Sequence, residues 1–347
     1  MEDPAQDKTG PRQDTGTPVT NQTSRRPSRT ARTPAAGTAA GRTAAAEAGI
    51  AVLLGIAAAL VGLAPWLVTG ARLPLQNLWA NDVLPPDMPV TFLPLSQYRG
   101  TTIVALLTVG AAAAGLALRV WKPGRRGPTT AGALCGVLLV HVGATAQSFN
   151  ALNDGLAPGS SSALYFAGLL GGTMAAIAAG ALALLMLAAR SRAVAALGVG
   201  FMAVPFASWL AAAATFTAGA DAVPASISLA WRWLPAVLVG VALAWCGFRP
   251  FVRLLVWAAD VALLWLVPAL FTSVNYVLGT RVYLGDFQEM AVLSRQILAA
   301  TLGPAGGAGP SVLVALGIGM AGALLVSVRR RKNILQANIE DDGGRTA

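Results

Sequence analysis

Two ionisable side chains stand alone inside long apolar stretches: His141, the one histidine of the chain, and Asp260. A charged or titratable group at bilayer depth is expensive, so it faces protein and finds a partner. Counting at about 1.5 Å per residue from the basic end of each stretch places both near mid-bilayer, where they can meet. Thr145 and Ser148 follow His141 at helical spacing and lead toward Asn150, Asn153 and Asp154. Pro268, Thr272 and Asn275 continue the Asp260 face in the same direction. An imidazole and a carboxylate at one depth, with polar rungs leading outward, is what a proton-linked site requires. The same residues also suit a buried hydrogen bond that only pins two helices, and a third reading is that the two never touch. Arg253 lies two turns below Asp260 and reads as a topology charge that snorkels to the surface.

Eight apolar stretches position these residues: 48 to 69, 101 to 119, 129 to 149, 163 to 189, 193 to 216, 229 to 247, 251 to 276 and 310 to 328. Each is long enough to cross a bilayer as a helix. The chain is 55% hydrophobic and only 12% charged, far from an ordinary soluble domain, so the fold class is an all-α, eight-span membrane bundle. Of its 25 Lys and Arg, all but Arg72, Arg99, Arg232, Arg281 and Arg295 fall in alternate connections and the two ends. By the positive-inside rule both termini are cytoplasmic, and an odd number of spans would scatter these clusters onto both faces. The expected location is a bacterial cytoplasmic membrane, since the Ala-rich, Arg-rich composition has the style of a high-GC bacterium.

Residues 1–43 read as a disordered basic cytoplasmic tail, 44–328 as the transmembrane domain and 329–347 as a short cytoplasmic tail. Tail arginines are suited to anionic lipid, and Thr17 and Thr33 precede prolines as phosphorylation sites. The net charge of +10 reports topology, and no nucleic acid is expected as a partner. Pro65, Pro205, Pro235 and Pro268 interrupt spans, where helices can kink. Gly168, Gly172 and Gly180, and Gly317, Gly319 and Gly322, have small-xxx-small spacing for close helix packing. Trp66, Trp79, Trp121, Trp209, Trp231, Trp233 and Trp245 near span ends read as interfacial anchors.

Two outward segments remain. Residues 70–100, broken by five prolines, form a loop that caps the bundle and carries Asp82 and Asp87. An acidic residue after the first span resembles the placement of the metal-binding or basic carboxylate in polyprenyl-dependent glycosyltransferases, which would make these aspartates catalytic; this chain has fewer spans and no large exterior domain. In 277–309, Asp286-Phe287-Gln288-Glu289 starts a helix whose Met290, Leu293, Ile297 and Leu298 share one face before Gly303-Pro304 stops it. The pattern predicts an amphipathic helix, over 286–302, on the outer membrane surface or over the bundle's mouth.

Nucleotide loops, zinc-binding histidine pairs, CxxC and nucleophile elbows do not occur in the chain, and Cys135 and Cys246 are expected as separate reduced thiols, so no cofactor or metal is expected. The halves share no motif of the kind that inverted-repeat transporters show. Three functions stay open: a non-catalytic membrane component assembling with membrane-protein partners or as a homo-oligomer; a proton-linked transporter or permease subunit using Asp260 and His141; and a membrane enzyme acting on a lipid-linked substrate. In each the lipid bilayer is the immediate partner.

Overall fold

The computed structural model describes residues 35–219, 224–279, 286–303 and 307–345. Its helices are α1 (Ala35–Leu67), α2 (Gly100–Trp121), α3 (Arg126–Gly155), α4 (Ser160–Ala188), α5 (Arg192–Ala218), α6 (Ala225–Cys246), α7 (Arg253–Gly279), α8 (Phe287–Leu302) and α9 (Ala308–Arg345). All except α8 contain a stretch long and apolar enough to cross a membrane, so the protein is a multi-pass helical membrane protein. Helical backbone already begins at Ala35, within the segment expected to be disordered to residue 43, because the run Ala35, Ala36, Ala39 and Ala40 is built from the strongest helix former. Residues 1–34, with Thr17 and Thr33, lie outside the described residues. At the other end α9 runs on to Arg345, where the sequence suggests only a short tail.

Small residues set the packing. A Cβ added at Gly62 of α1 would lie 2.6 Å from the Gly110 Cα of α2, so these backbones touch directly. On α3, Gly136 stands against the Val52 carbonyl of α1, and Gly115 of α2 against that of Leu184 on α4. Of the glycines with small-xxx-small spacing, Gly180, Gly319 and Gly322 meet a neighbouring helix, whereas Gly168, Gly172 and Gly317 have nothing within 4 Å among the described residues. Helices α1 to α4 share one apolar core around Leu63, Leu106, Leu107, Ala144 and Ile177. Helices α5, α6, α7 and α9 share another, including Ala203, Val239, Leu243, Leu264 and Ala315.

The loop over 70–99 folds into the end of the α1–α4 group. Met88, Leu93 and Leu95 are fully buried there. Main-chain bonds pair Leu73 with Pro89 and Ala80 with Gly155. The Trp66 indole donates to the Thr91 carbonyl at 2.8 Å, and the Tyr165 hydroxyl to Gln76 Oε1 at 2.6 Å. Trp66 and Trp209 are therefore not simple interfacial anchors: both indole N–H groups bond main-chain carbonyls inside the protein, that of Trp209 to Gly62. An indole with a protein acceptor in reach has no need of the headgroup region.

At the arginine-rich face, cations serve the carbonyls that helix C-termini leave open. Arg253 donates to the Cys246 carbonyl at 2.6 Å, and Arg126 to that of Ala188 at 3.4 Å. Arg119 donates to the Ala189 carbonyl and lies 4.8 Å over the Trp245 ring. These contacts bring the ends of α2, α3, α4, α6 and α7 to one level.

Helix α8 forms where the sequence predicts it and packs on α7. The Ser273 and Ser294 hydroxyls are 3.0 Å apart, and the Trp265 indole donates to the Leu302 carbonyl at 3.2 Å. Ser294 to Leu302 runs opposite to Ser273 to Trp265, so α8 lies antiparallel to α7, with about 12 Å between the two contacts. It packs against the bundle through α7. Its half-buried stripe Met290, Leu293, Ser294, Ile297 and Leu298 has the apolar positions read from the sequence, turned onto protein. The Asp286 carboxylate accepts from the Gln288 and Glu289 amides and caps it.

Candidate functional site

Asp260 sits seven residues into α7, about 10 Å from the arginine-rich face. It is fully buried, and neither carboxylate oxygen has a hydrogen-bond partner among the described residues. The local sequence explains the niche. Gly200 of α5 lies at the same depth, and a Cβ there would come within 2.6 Å of Asp260 Cγ and nearer still to Oδ1. Only a glycine leaves room for the carboxylate between α5 and α7.

Above Asp260, toward the loop-bearing face, opens a cavity of about 410 Å³. Val204 and Leu264 form its lower wall, one helical turn beyond Gly200 and Asp260 on their respective helices. Higher on the wall are Ser208, Pro268 and Thr272, and opposite them Trp231, Arg232, Thr301 and Ser311. Below Asp260, at the arginine-rich face, a second cavity of about 340 Å³ is lined by Phe248, Arg249, Arg253 and Ala323. Trp257 stands between this cavity and Asp260, only 6% exposed, with Phe248 stacked on it at 4.6 Å. One face of α7 thus carries, in order, Arg253, Trp257, Asp260, Leu264 and Pro268: cavity wall, plug, carboxylate, plug, cavity wall.

The structure does not join His141 to Asp260. His141 is also fully buried, and its two ring nitrogens lack hydrogen-bond partners among the described residues. It belongs to α3 in the α1–α4 group, fifteen residues from Arg126, about 12 Å deeper than Asp260 when both are counted from the same face. Counting from the sequence starts each span at a different distance from its basic cap, which makes the depths look equal. The polar rungs are occupied locally. Thr145 donates to the His141 carbonyl at 2.7 Å, and Ser148 Oγ accepts from the Leu93 amide at 2.9 Å. Thr272 donates to the Pro268 carbonyl at 2.9 Å, and Asn275 Oδ1 accepts from Thr101 at 3.2 Å. Of the four, only Thr272 lines the cavity above Asp260.

Asp82 and Asp87 are exposed on the loop, Asp87 in a 3-10 turn over Pro85–Asp87. Among the described residues no cluster of three or more His, Cys, Asp or Glu could hold a metal ion. The sequence places Arg232 only among the topology charges, yet the structure makes it a cavity wall. A signal for this was present in Trp231-Arg232-Trp233, a cation between two indoles at the start of a span, with Pro235 three residues on.

The fold and site define an all-α, polytopic membrane protein with a buried carboxylate between two cavities. Comparisons with protein-family models, with curated proteins and with solved structures find no match to the chain.

Proposed function

We propose that this protein is a proton-linked transporter or permease subunit in which Asp260 is the ionisable centre. The observation that carries the reading is the placement of a carboxylate, unpartnered among the described residues, between two opposed cavities, each closed off by one bulky side chain, Trp257 or Leu264. A buried charge without a protein partner costs several kcal/mol, so a proton, a water or a cation has to supply the missing partner. Such a group binds and releases that partner as the plugs open in turn. Pro205, Pro235 and Pro268 each break the helical bonding of α5, α6 or α7 beside the cavity, and supply places for those helices to flex. In this reading the arginine-rich face and both termini are cytoplasmic in a bacterial cell membrane, and His141 is not part of the site.

The test needs no known substrate. In a protein with Cys135 and Cys246 replaced by serine, Leu264→Cys is labelled with a membrane-impermeant thiol reagent from the loop face across a pH series. The rate is taken relative to that of an exposed reference cysteine at the same pH, which removes the thiol's own ionisation. A relative rate that varies with pH, and loses that dependence in Asp260→Asn, supports the reading. A relative rate independent of pH and untouched by Asp260→Asn sinks it.

A second reading, a non-catalytic assembly component, draws support from α9, whose helical backbone continues sixteen residues past Arg329. Affinity purification with and without residues 330–347 tests it, and a chain with no stoichiometric partner in either case counts against it.

A further inference from the structure

We infer that the cavity on the loop side is a binding site for an amphiphilic anion, a single phosphate or carboxylate headgroup on an apolar tail, with Arg232 holding the headgroup. Among the described residues, the wall of this cavity of about 410 Å³ holds one cation and no Asp or Glu. Arg232 is one of five basic residues that the sequence pattern leaves off the arginine-rich face, where positive charge is otherwise avoided. Its guanidinium is held toward the wall: Nη2 lies 3.7 Å from where a Cβ on Gly307 would be, and Cζ stands 5.7 Å from the Trp233 ring centroid. Gly307 is itself a wall residue.

Arg232 is exposed at the cavity mouth, and its planar guanidinium matches two oxygens of a phosphate or carboxylate. Ser208 and Ser311 add hydroxyl donors on α5 and α9. The first turn of α9, opening at Ala308 on the same wall, adds the positive end of its dipole. The remaining wall is hydrocarbon and indole, from Val204, Leu264, Ala269, Trp231 and Trp265, and suits a tail rather than a second charge. The inference deepens the transport reading and rests on it for the steps after binding, while binding itself requires no turnover.

The experiment is a titration of the purified full-length protein's thermal unfolding midpoint with hexyl phosphate, inorganic phosphate and hexyltrimethylammonium. Native mass spectrometry then tracks phosphatidylglycerol retained from the membrane. We expect hexyl phosphate to raise the midpoint saturably, with affinity falling about tenfold or more in Arg232→Gln and less in Arg232→Lys. Ser208→Leu, which fills the cavity and keeps the guanidinium, should also lose binding, and carries the test if Arg232→Gln fails to fold. Phosphatidylglycerol retained one per protein, and lost in Arg232→Gln, makes the bilayer the source of the anion; saturable hexyl phosphate binding without it makes the source a free organic anion. Equal binding by Arg232→Gln, equal stabilisation by hexyltrimethylammonium, or full affinity for inorganic phosphate without a tail would overturn the inference. Hexyl phosphate binding that survives while the Asp260 labelling test fails removes the transport reading alone; the reverse removes only the anion site.

Discussion

Asp260 rests against the bare backbone of Gly200, so closely that a methyl group there would lie 2.6 Å from Cγ and 3.2 Å from Cβ of the aspartate. The carboxylate fills the space that a side chain at position 200 would need. Gly200→Ala should destabilise the protein by about 2 kcal/mol, in the range of overpacked cores. Adding Asp260→Ala should recover most of that loss. A double-mutant cycle on thermal or denaturant unfolding measures the coupling, and additive effects would mean the carboxylate moves aside freely.

Ser148 separates a structural polar stripe from a functional one. Its hydroxyl accepts the buried Leu93 amide, so Ser148→Ala leaves that donor unmet at a cost of about 1–3 kcal/mol. Stability should fall and hydrogen exchange should rise around Leu93. The pH dependence of labelling at Leu264→Cys should stay as in the parent; a change there would join Ser148 to the site.

The antiparallel course of α8 is open to chemical cross-linking. With native cysteines removed, Ser273→Cys with Ser294→Cys should form a disulfide on mild oxidation, since the native hydroxyls are 3.0 Å apart. Ser273→Cys with Gln288→Cys, more than a helical turn out of register, should not. Equal yields for both pairs would mean that α8 does not hold this register on α7.

Span glycines should differ in tolerance according to what faces them. Gly62→Val drives a branched side chain into the Gly110 backbone and should abolish the folded state or lower its unfolding midpoint sharply. Gly172→Ala faces nothing within 4 Å and should change stability by less than about 1 kcal/mol.

The spans were legible because hydrophobicity over about 20 residues is a property of each segment alone. The stretch read as 229 to 247 ends within one residue of α6, which runs over Ala225–Cys246. What failed to show was relational. The stripe Met290, Leu293, Ile297 and Leu298 is the same whether a helix lies on lipid or on a neighbour, and only the partners of Ser294 and Leu302 tell the two apart. Asp260 stood out as an isolated charge, but its true neighbour, Gly200, carries no chemistry for a sequence reader to notice. Arg232 was visible as a charge and invisible as a cavity wall, because Thr301 and Ser311 reach it only through the return of α8 and the start of α9.

Helix α8 ends at Leu302 beside Trp265 and α9 opens at Ala308 on the cavity wall, so the end of one helix and the start of the next come to the loop-side cavity. The first amides and last carbonyls of a helix have no partner within it, and inside a membrane such groups persist only where protein or a wet space meets them. On the transport reading, what separates the two sides of this protein is one short stretch of α7, from Trp257 to Leu264, about 10 Å long with Asp260 inside.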